Sequence, residues 1–453
     1  MDLDVSRLAN WMESLSKGPE DLAEIFLEHR RAATLEWRDG EVVTGRAACE
    51  NGLSARCRTR DADHLVFVSD ASEAGAREAI RSLQIRMGRP ALPRKPDRPK
   101  PQSESEPPLD VDRWTRKLTS IFSRLAPRHR FRWTLSDVTR QVVPVRGTPS
   151  SSTRRLLSLE GTFTAASRRG DEVRSFSFHV PGSETAADEL RAALARAGEP
   201  RETPAPLPDG QADVVLAGGC AAVFFHEILS HALEAGQESP FSGLEQARVA
   251  VPELDVRDDA TRLDLFGGYE QDDEGVRPRP VKLLDAGRLA GRLTDRAHAP
   301  RGVSNGHGRR AGPSDLPMPR GSNVVVAPGH ATEDELARRV SSGIWIADLD
   351  GGSVELASGQ FRLRFPRARR VRRGRLADEC GPGWLAGEIL PALKSIEAAV
   401  GREVYSYRAL GFCARSGQVV PVQGAAPAIL VRRLAIRSLQ RSLGSVPALE
   451  SGA

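Results

Sequence analysis

Residues 224–234 read FFHEILSHALE. His226, Glu227 and His231 lie in an otherwise apolar run of helical character. The same residue types form a zinc-protease site when the spacing is H-E-x-x-H, with the histidines four apart. Here they are five apart. On a regular helix, positions four apart differ by about 40° and positions five apart by about 140°, so His226 and His231 would face different ways. A single π-bulge, with its i→i+5 hydrogen bond, adds one residue to the turn and realigns them. Such bulges are rare and concentrate at functional sites. The bland alternative is a core helix built on Phe224, Phe225, Ile228, Leu229 and Leu233. Against it stands the cost of burying His and Glu among apolar side chains without partners.

Just upstream, VVLAGG (214–219) reads as a short buried strand with a turn at Gly218 and Gly219. The helix then runs from near Cys220 to Gly236, a fair stop signal. From 250 onward short strands and Gly, Pro and Asn turns dominate. Towards the N-terminus, residues 4–32 carry helical periodicity in Leu8, Trp11, Met12, Leu15, Leu22, Ile25 and Phe26. The next stretch alternates and breaks at Asp39-Gly40, Asn51-Gly52 and Asp61-Ala62-Asp63, which are hairpin signals. Helices are expected at 71–87, 110–125 and 184–197, strands through 131–181, and Pro-rich breaks at 88–109 and 198–210. The fold class is α+β: an N-terminal α/β domain (1–87), a Pro-rich linker or loop (88–109) and a middle α+β region (110–205). The remaining 206–453, with its short strands and turns, reads as a larger C-terminal region and holds the candidate site.

The chain has 453 residues, 40% of them hydrophobic, enough for a sizeable core. No apolar run approaches the ~18 residues of a membrane span. The opening MDLDVSRLANWMESL is acidic and amphipathic and lacks the basic start and apolar core of a signal peptide. The five cysteines (49, 57, 220, 380, 413) are odd in number and widely spread, which argues for a reducing compartment. A cytoplasmic location is the expectation. The net charge of +5 rests almost entirely on arginine, with six lysines among 65 Lys+Arg. Residues 362–375, RLRFPRARRVRRGR, hold eight arginines. They read as a solvated hairpin or as a surface for acidic partners or nucleic acid. Aromatics are only 5%, and no helix-turn-helix, zinc finger or basic–aromatic interleaving is present. Nucleic acid is therefore not the expected partner.

Catalytic zinc usually takes three protein ligands and keeps a fourth place for water. The helix supplies two. His298, His307, His330, Cys380 and Cys413 are all candidates for the third, and spacing does not choose among them.

Taken together, the motifs resemble the TldD/PmbA metallopeptidases, in their catalytic TldD-like branch. HEILSHALE is similar to that family's H-E-x-x-x-H segment. NGHGRRAGPSDLPMPRGSNVVVAPG (305–329), DLDGGSVELASGQFRL (348–363) and GFCARSGQVVPVQGAAPAILVRRLAI (411–436) are similar to its later segments, in order. Ser230 and Ala232 stand where the family tends to have glycine. The resemblance implies Cys413 as third ligand, a Zn2+ ion held by His226, His231 and Cys413, and Glu227 as general base. It implies an α+β fold with an N-terminal α/β domain and a larger C-terminal domain of mixed and antiparallel sheet bearing the metal site. Glu234 then orients a ligand histidine or lies on the helix surface, His307 binds substrate or supports the ligands, and Arg309 and Arg310, which match the family's basic pair, pin the substrate or hold the loop. The implied activity is cleavage of small or unfolded peptides inside a closed chamber, with the peptide added as a strand to a sheet edge. The implied assembly is a homodimer, or a heterodimer with a PmbA/TldE-like paralogue. The alternative is that this chain is itself the non-catalytic PmbA/TldE-like subunit.

Overall fold

The structure, a computed structural model, describes residues 4–439 except 17, 19–20, 93–108, 124, 126–127, 168–169, 184, 200–203 and 208. Most of the expected 88–109 linker, and part of the 198–210 break, thus lie outside the described residues. The architecture is α+β, mostly antiparallel sheet with few helices.

Helix α1 (Val5–Glu13) starts where the Asp4 side chain accepts from the Arg7 N–H, an N-cap that satisfies an otherwise orphaned donor. The helical reading of 4–32 is correct only for its first part. Residues Leu22–Arg38 form strand β1. Residues 23–28 are buried on both faces of the sheet, so the two-residue alternation that marks a half-buried strand is absent there. The odd face of β1 presents Ile25, Leu27, Leu35 and Trp37 to a helical layer. Its even face turns Glu24, Phe26 and Glu28 towards the C-terminal half.

β1 pairs with β2 (Glu41–Arg58), which pairs with β3 (Asp63–Val68). The Asp39-Gly40 and Asp61 turns lie between these strands. Asn51-Gly52 is no turn: it sits inside β2, opposite His29 and Glu28. A Cβ on Gly52 would lie 2.5 Å from Pro313 Cγ, so this glycine allows a close approach rather than a reversal. On its other side β1 pairs with β4 (Arg130–Pro144), followed by β5 (Ser150–Ser167) and β6 (Gly170–Pro181). One six-stranded sheet, ordered β3-β2-β1-β4-β5-β6, therefore draws on both 1–87 and 110–205. Helices α2 (Glu73–Arg86), α3 (Val111–Phe122) and α4 (Ala186–Gly198) cover one face. Trp37 meets Phe122 edge-on at 5.4 Å, and Phe122 stacks on Phe131 at 4.9 Å.

The other face docks through buried charge. Arg310 donates to Glu24 at 2.6 Å and lies over the Phe26 ring at 4.2 Å. Arg56 reaches Glu274 at 2.8 Å, and Arg140 joins Glu28 at 2.7 Å to Asp273 at 2.6 Å. Removing one partner of such a buried pair leaves the other uncompensated, at about 3–5 kcal/mol. Glu24 keeps Arg56 at 3.4 Å, so Arg310→Ala is expected to lower the unfolding free energy by less than that, about 1.5–3 kcal/mol, in urea denaturation. A loss below 1 kcal/mol would contradict it.

Beyond residue 209 two further large sheets form, with two small two-stranded ones. In the nine-stranded one, β7 (Gly210–Leu216) lies between Ile429–Ser438 and Ser342–Ile346, and Gly351–Glu355 is an edge strand. A second six-stranded sheet contains Val256–Asp258, Asn323–Val326 and Gln423–Ala426. Phe224, Phe225, Ile228 and Leu229 pack in one core with Val214, Val256, Val324 and Ile429 from both sheets. The Arg-rich stretch covers the strands Gln360–Phe365 and Ala368–Arg372 and the turn into Arg375–Cys380. Arg364 pairs with Asp350 at 2.8 Å and Arg367 with Glu379 at 3.2 Å.

Candidate metal centre

β7 ends at Leu216, and after the glycine turn the chain enters α5 (Ala221–Phe225). α-Helical bonding stops at Phe225. His226–Ser230 is a π-helical turn, in which the His231 N–H donates to the His226 carbonyl five residues back. A 3₁₀ turn, His231–Leu233, closes the element, so the helix stops before Gly236 and Glu234 is already extended. The inserted residue brings the two imidazoles together, with ring centroids 4.9 Å apart.

Cys413 arrives from the short strand Phe412–Arg415, whose hairpin partner is Gln418–Pro421. Its Sγ lies 3.2 Å from His231 Nε2. Ligand atoms of His226, His231 and Cys413 all fall within 4.8 Å of one another, the one such cluster among the described residues. All three side chains are buried, and neither ring nitrogen of His226 has a hydrogen-bond partner. An imidazole buried with both nitrogens unsatisfied is costly, and a cation answers that cost. Burial opposes ionisation of the Cys413 thiol, but His226 and His231 pull it down to about 4. Burial also disfavours charge on His231, yet Glu234 and Cys413 hold it well above the ordinary imidazole range. A thiolate and two imidazoles at these separations suit a tetrahedral ion of the zinc type with one position open.

The supports of this cluster are specific. Glu234, fully buried, sits 3.5 Å from His231 Nδ1, accepts the Gly321 N–H at 3.0 Å and is bonded by Arg415. It thereby leaves Nε2 of His231 turned to Cys413. A Cβ on Gly321 would meet Ser230 Oγ at 2.3 Å, so a glycine is required where this loop crosses the π turn. Ser230 donates to Asp258 at 3.2 Å. His307 bridges Asp258 at 3.2 Å and Asn305 at 3.0 Å; the structure does not bring it to the metal cluster. Arg309 donates to the carbonyls of Gly321 and Pro421 at 2.6 and 2.8 Å. Arg310 belongs to the interface described above. Neither arginine lines the cavity in front of the cluster. Sequence reasoning missed Arg320, which donates to the Cys413 carbonyl at 2.8 Å and to its Sγ at 3.3 Å. The two residues are 93 apart in sequence, so no local spacing connects them.

The cluster and Glu227 open onto a cavity of about 1660 Å³. Its walls include the edge strands β6 and Gly351–Glu355 and the segment 405–415. Glu227 packs beside Gly352, where a Cβ would lie 3.2 Å from its Cγ.

Residues 209–438 match the family model described as the PmbA/TldA metallopeptidase C-terminal domain. Over 232 residues the chain is 32% identical to a metalloprotease of Methanothermobacter thermautotrophicus, covering 50% of each chain. It is 31% identical over 235 residues to a metalloprotease TldD homolog of Buchnera aphidicola, covering 51% of this chain and 48% of that one. A protein of Saccharolobus solfataricus named a zinc metalloprotease TldD homolog is 26% identical over 235 residues, covering 50% of this chain and 52% of that one. The chain spans about half the length of the curated relatives it matches. Among solved structures, TldE from Thermococcus kodakarensis has the same fold, with a TM-score of 0.72 at 15% identity over 96% of this chain and 99% of that one. A Thermotoga maritima protein described as a candidate modulator of a DNA gyrase gives a TM-score of 0.71 at 17% identity, over 95% and 99%. With more than half of its length inside the family model and a buried His-His-Cys cluster at the matched motif, the chain belongs to the PmbA/TldD metallopeptidase family.

Proposed function

We propose that this chain is a zinc-dependent peptidase of the H-E-x-x-x-H type, acting on small or unfolded peptides. The observation that carries this reading is the π turn, which turns a five-residue spacing into two imidazoles facing one thiolate, with a glutamate alongside at the cavity. His226, His231 and Cys413 would hold the ion. Zinc so held acidifies water and polarises a peptide carbonyl.

The chain's own groups do the rest. Glu227 accepts the proton of the attacking water and passes it to the departing amine. Glu234 orients His231, and Arg320 holds the Cys413 thiolate in place. An extended peptide lies along the edges of β6, short of His179, and of Gly351–Glu355, held by main-chain hydrogen bonds with little demand on sequence. A dimer, with itself or with a PmbA/TldE-like paralogue, would complete the chamber. A non-catalytic subunit would have no use for Glu227 beside three converging donors. No described helix is long and apolar enough to cross a membrane.

The test is to incubate the zinc-loaded protein with an unstructured peptide and with a folded domain containing the same segment, and to identify products by mass spectrometry. Cleavage of the peptide alone is expected. Cleavage of neither substrate would refute the proposal.

A further inference from the structure

A second cavity, of about 250 Å³, lies between the even face of the N-terminal sheet and the hairpin that carries Cys413. Its floor is sheet, lined by Ser136, Ser158, Arg132 and Glu160 among others, and its roof includes Phe412 and Val419. Three further arginines, from three adjacent strands, converge on it. Arg30 on β1 and Arg154 on β5 both stand opposite Val138 of β4, and Arg140 follows two residues along.

The arginines here are not all paired. Arg30 and Arg140 share Glu28, at 3.2 and 2.7 Å, and Arg140 also holds Asp273 at 2.6 Å. Arg154 donates to the Phe266 carbonyl at 2.9 Å and lies over the Tyr269 ring at 5.6 Å. No carboxylate is in ion-pair contact with it among the described residues. Arg132, the fourth arginine of the lining, pairs with Glu36 at 2.9 Å, so among the described residues Arg154 is the one arginine here without a carboxylate partner. Burial, with the guanidiniums of Arg309 and Arg140 behind it, pushes Arg154 down to about 9. A cation so placed lacks its anion, and a planar guanidinium fits a carboxylate best.

We propose that this slot binds an organic carboxylate, its charged end on Arg154 and its apolar part under Phe412 and Val419. The cavity is larger than an inorganic anion fills, and its roof is apolar. The carboxylate has two sources: the C-terminal end of a peptide, or a free small acid. Phe412 also lines the main cavity and adjoins Cys413, so an occupant here touches the residue next to the third metal donor. Only the naming of a peptide end rests on the peptidase reading.

The experiment is isothermal titration of the full-length protein, in low-chloride buffer, with N-acetylphenylalanine and with its amide. The acid is expected to bind and the amide not. Arg154→Gln, with wild-type melting temperature and metal content, is expected to weaken binding of the acid about 10–100-fold. Should that variant fail to fold, Val419→Asp places a negative charge over the slot at an exposed position and is expected to act in the same direction. Equal binding of acid and amide would overturn the proposal, as would binding unchanged in the variants, which places the acid elsewhere, including at the metal. Inorganic phosphate binding as tightly as the acid would mark an adventitious ion only. A pentapeptide with a free C-terminus that displaces the acid better than its amidated form identifies the peptide source. No such displacement, with the acid still bound through Arg154, identifies the free acid. Titration needs no cleavage, so binding without proteolysis would sink only the peptidase reading.

Discussion

Glu227→Gln is expected to lower kcat/KM for peptide cleavage by about 10²–10⁴-fold, the usual worth of a placed general base, while metal content stays at the wild-type level. The amide has the shape of the carboxylate and fits the same space beside Gly352. It cannot accept a proton from water at neutral pH. Glu227 is not among the three converging donors, so the ion should remain. Parallel measurement of turnover and of metal by elemental analysis separates the two roles. Wild-type turnover would remove Glu227 from the mechanism, and loss of metal would make it a ligand.

The second large effect concerns affinity. Zinc sites of four ligands are worth about 10–16 kcal/mol in all, so one ligand represents about 3 kcal/mol, or about 10²-fold. Cys413→Ala is expected to weaken zinc binding by at least that factor in competition with a calibrated chelator. It removes the anionic donor and leaves the Arg320 guanidinium, 3.3 Å from the lost sulfur, with Glu234 at 3.7 Å as its remaining carboxylate. Retention of wild-type affinity would mean that the third donor lies elsewhere.

The helix with its histidines was legible because its signal is local. A five-residue spacing on an apolar helix admits either a bulge or no site, and the structure has the bulge. The proposed third donor was not legible from spacing. Cys413 lies 182 residues beyond His231 and on a hairpin of its own, and only the family resemblance singled it out. The first half of β1 misled because residues buried on both faces lose the alternation that identifies strands. Asn51-Gly52 misled because a glycine also serves a close contact, here with Pro313. For Arg309 and Arg310 the sequence left two readings, a substrate contact or a structural hold on the loop, because their partners, the carbonyls of Gly321 and Pro421 and the carboxylate of Glu24, come together only in the folded chain. The Arg154 slot was beyond reach for the same reason: Arg30, Arg140 and Arg154 meet only once β1, β4 and β5 have paired.

The central claim is that His226, His231 and Cys413 close on a single ion across the five-residue spacing. X-ray absorption at the zinc edge of the zinc-loaded protein tests it most directly. The account predicts one zinc per chain with one sulfur at about 2.3 Å and two imidazole nitrogens at about 2.0–2.1 Å, the sulfur vanishing in Cys413→Ala. A zinc shell of nitrogen and oxygen alone in the wild type, or one that does not change in that variant, would contradict it.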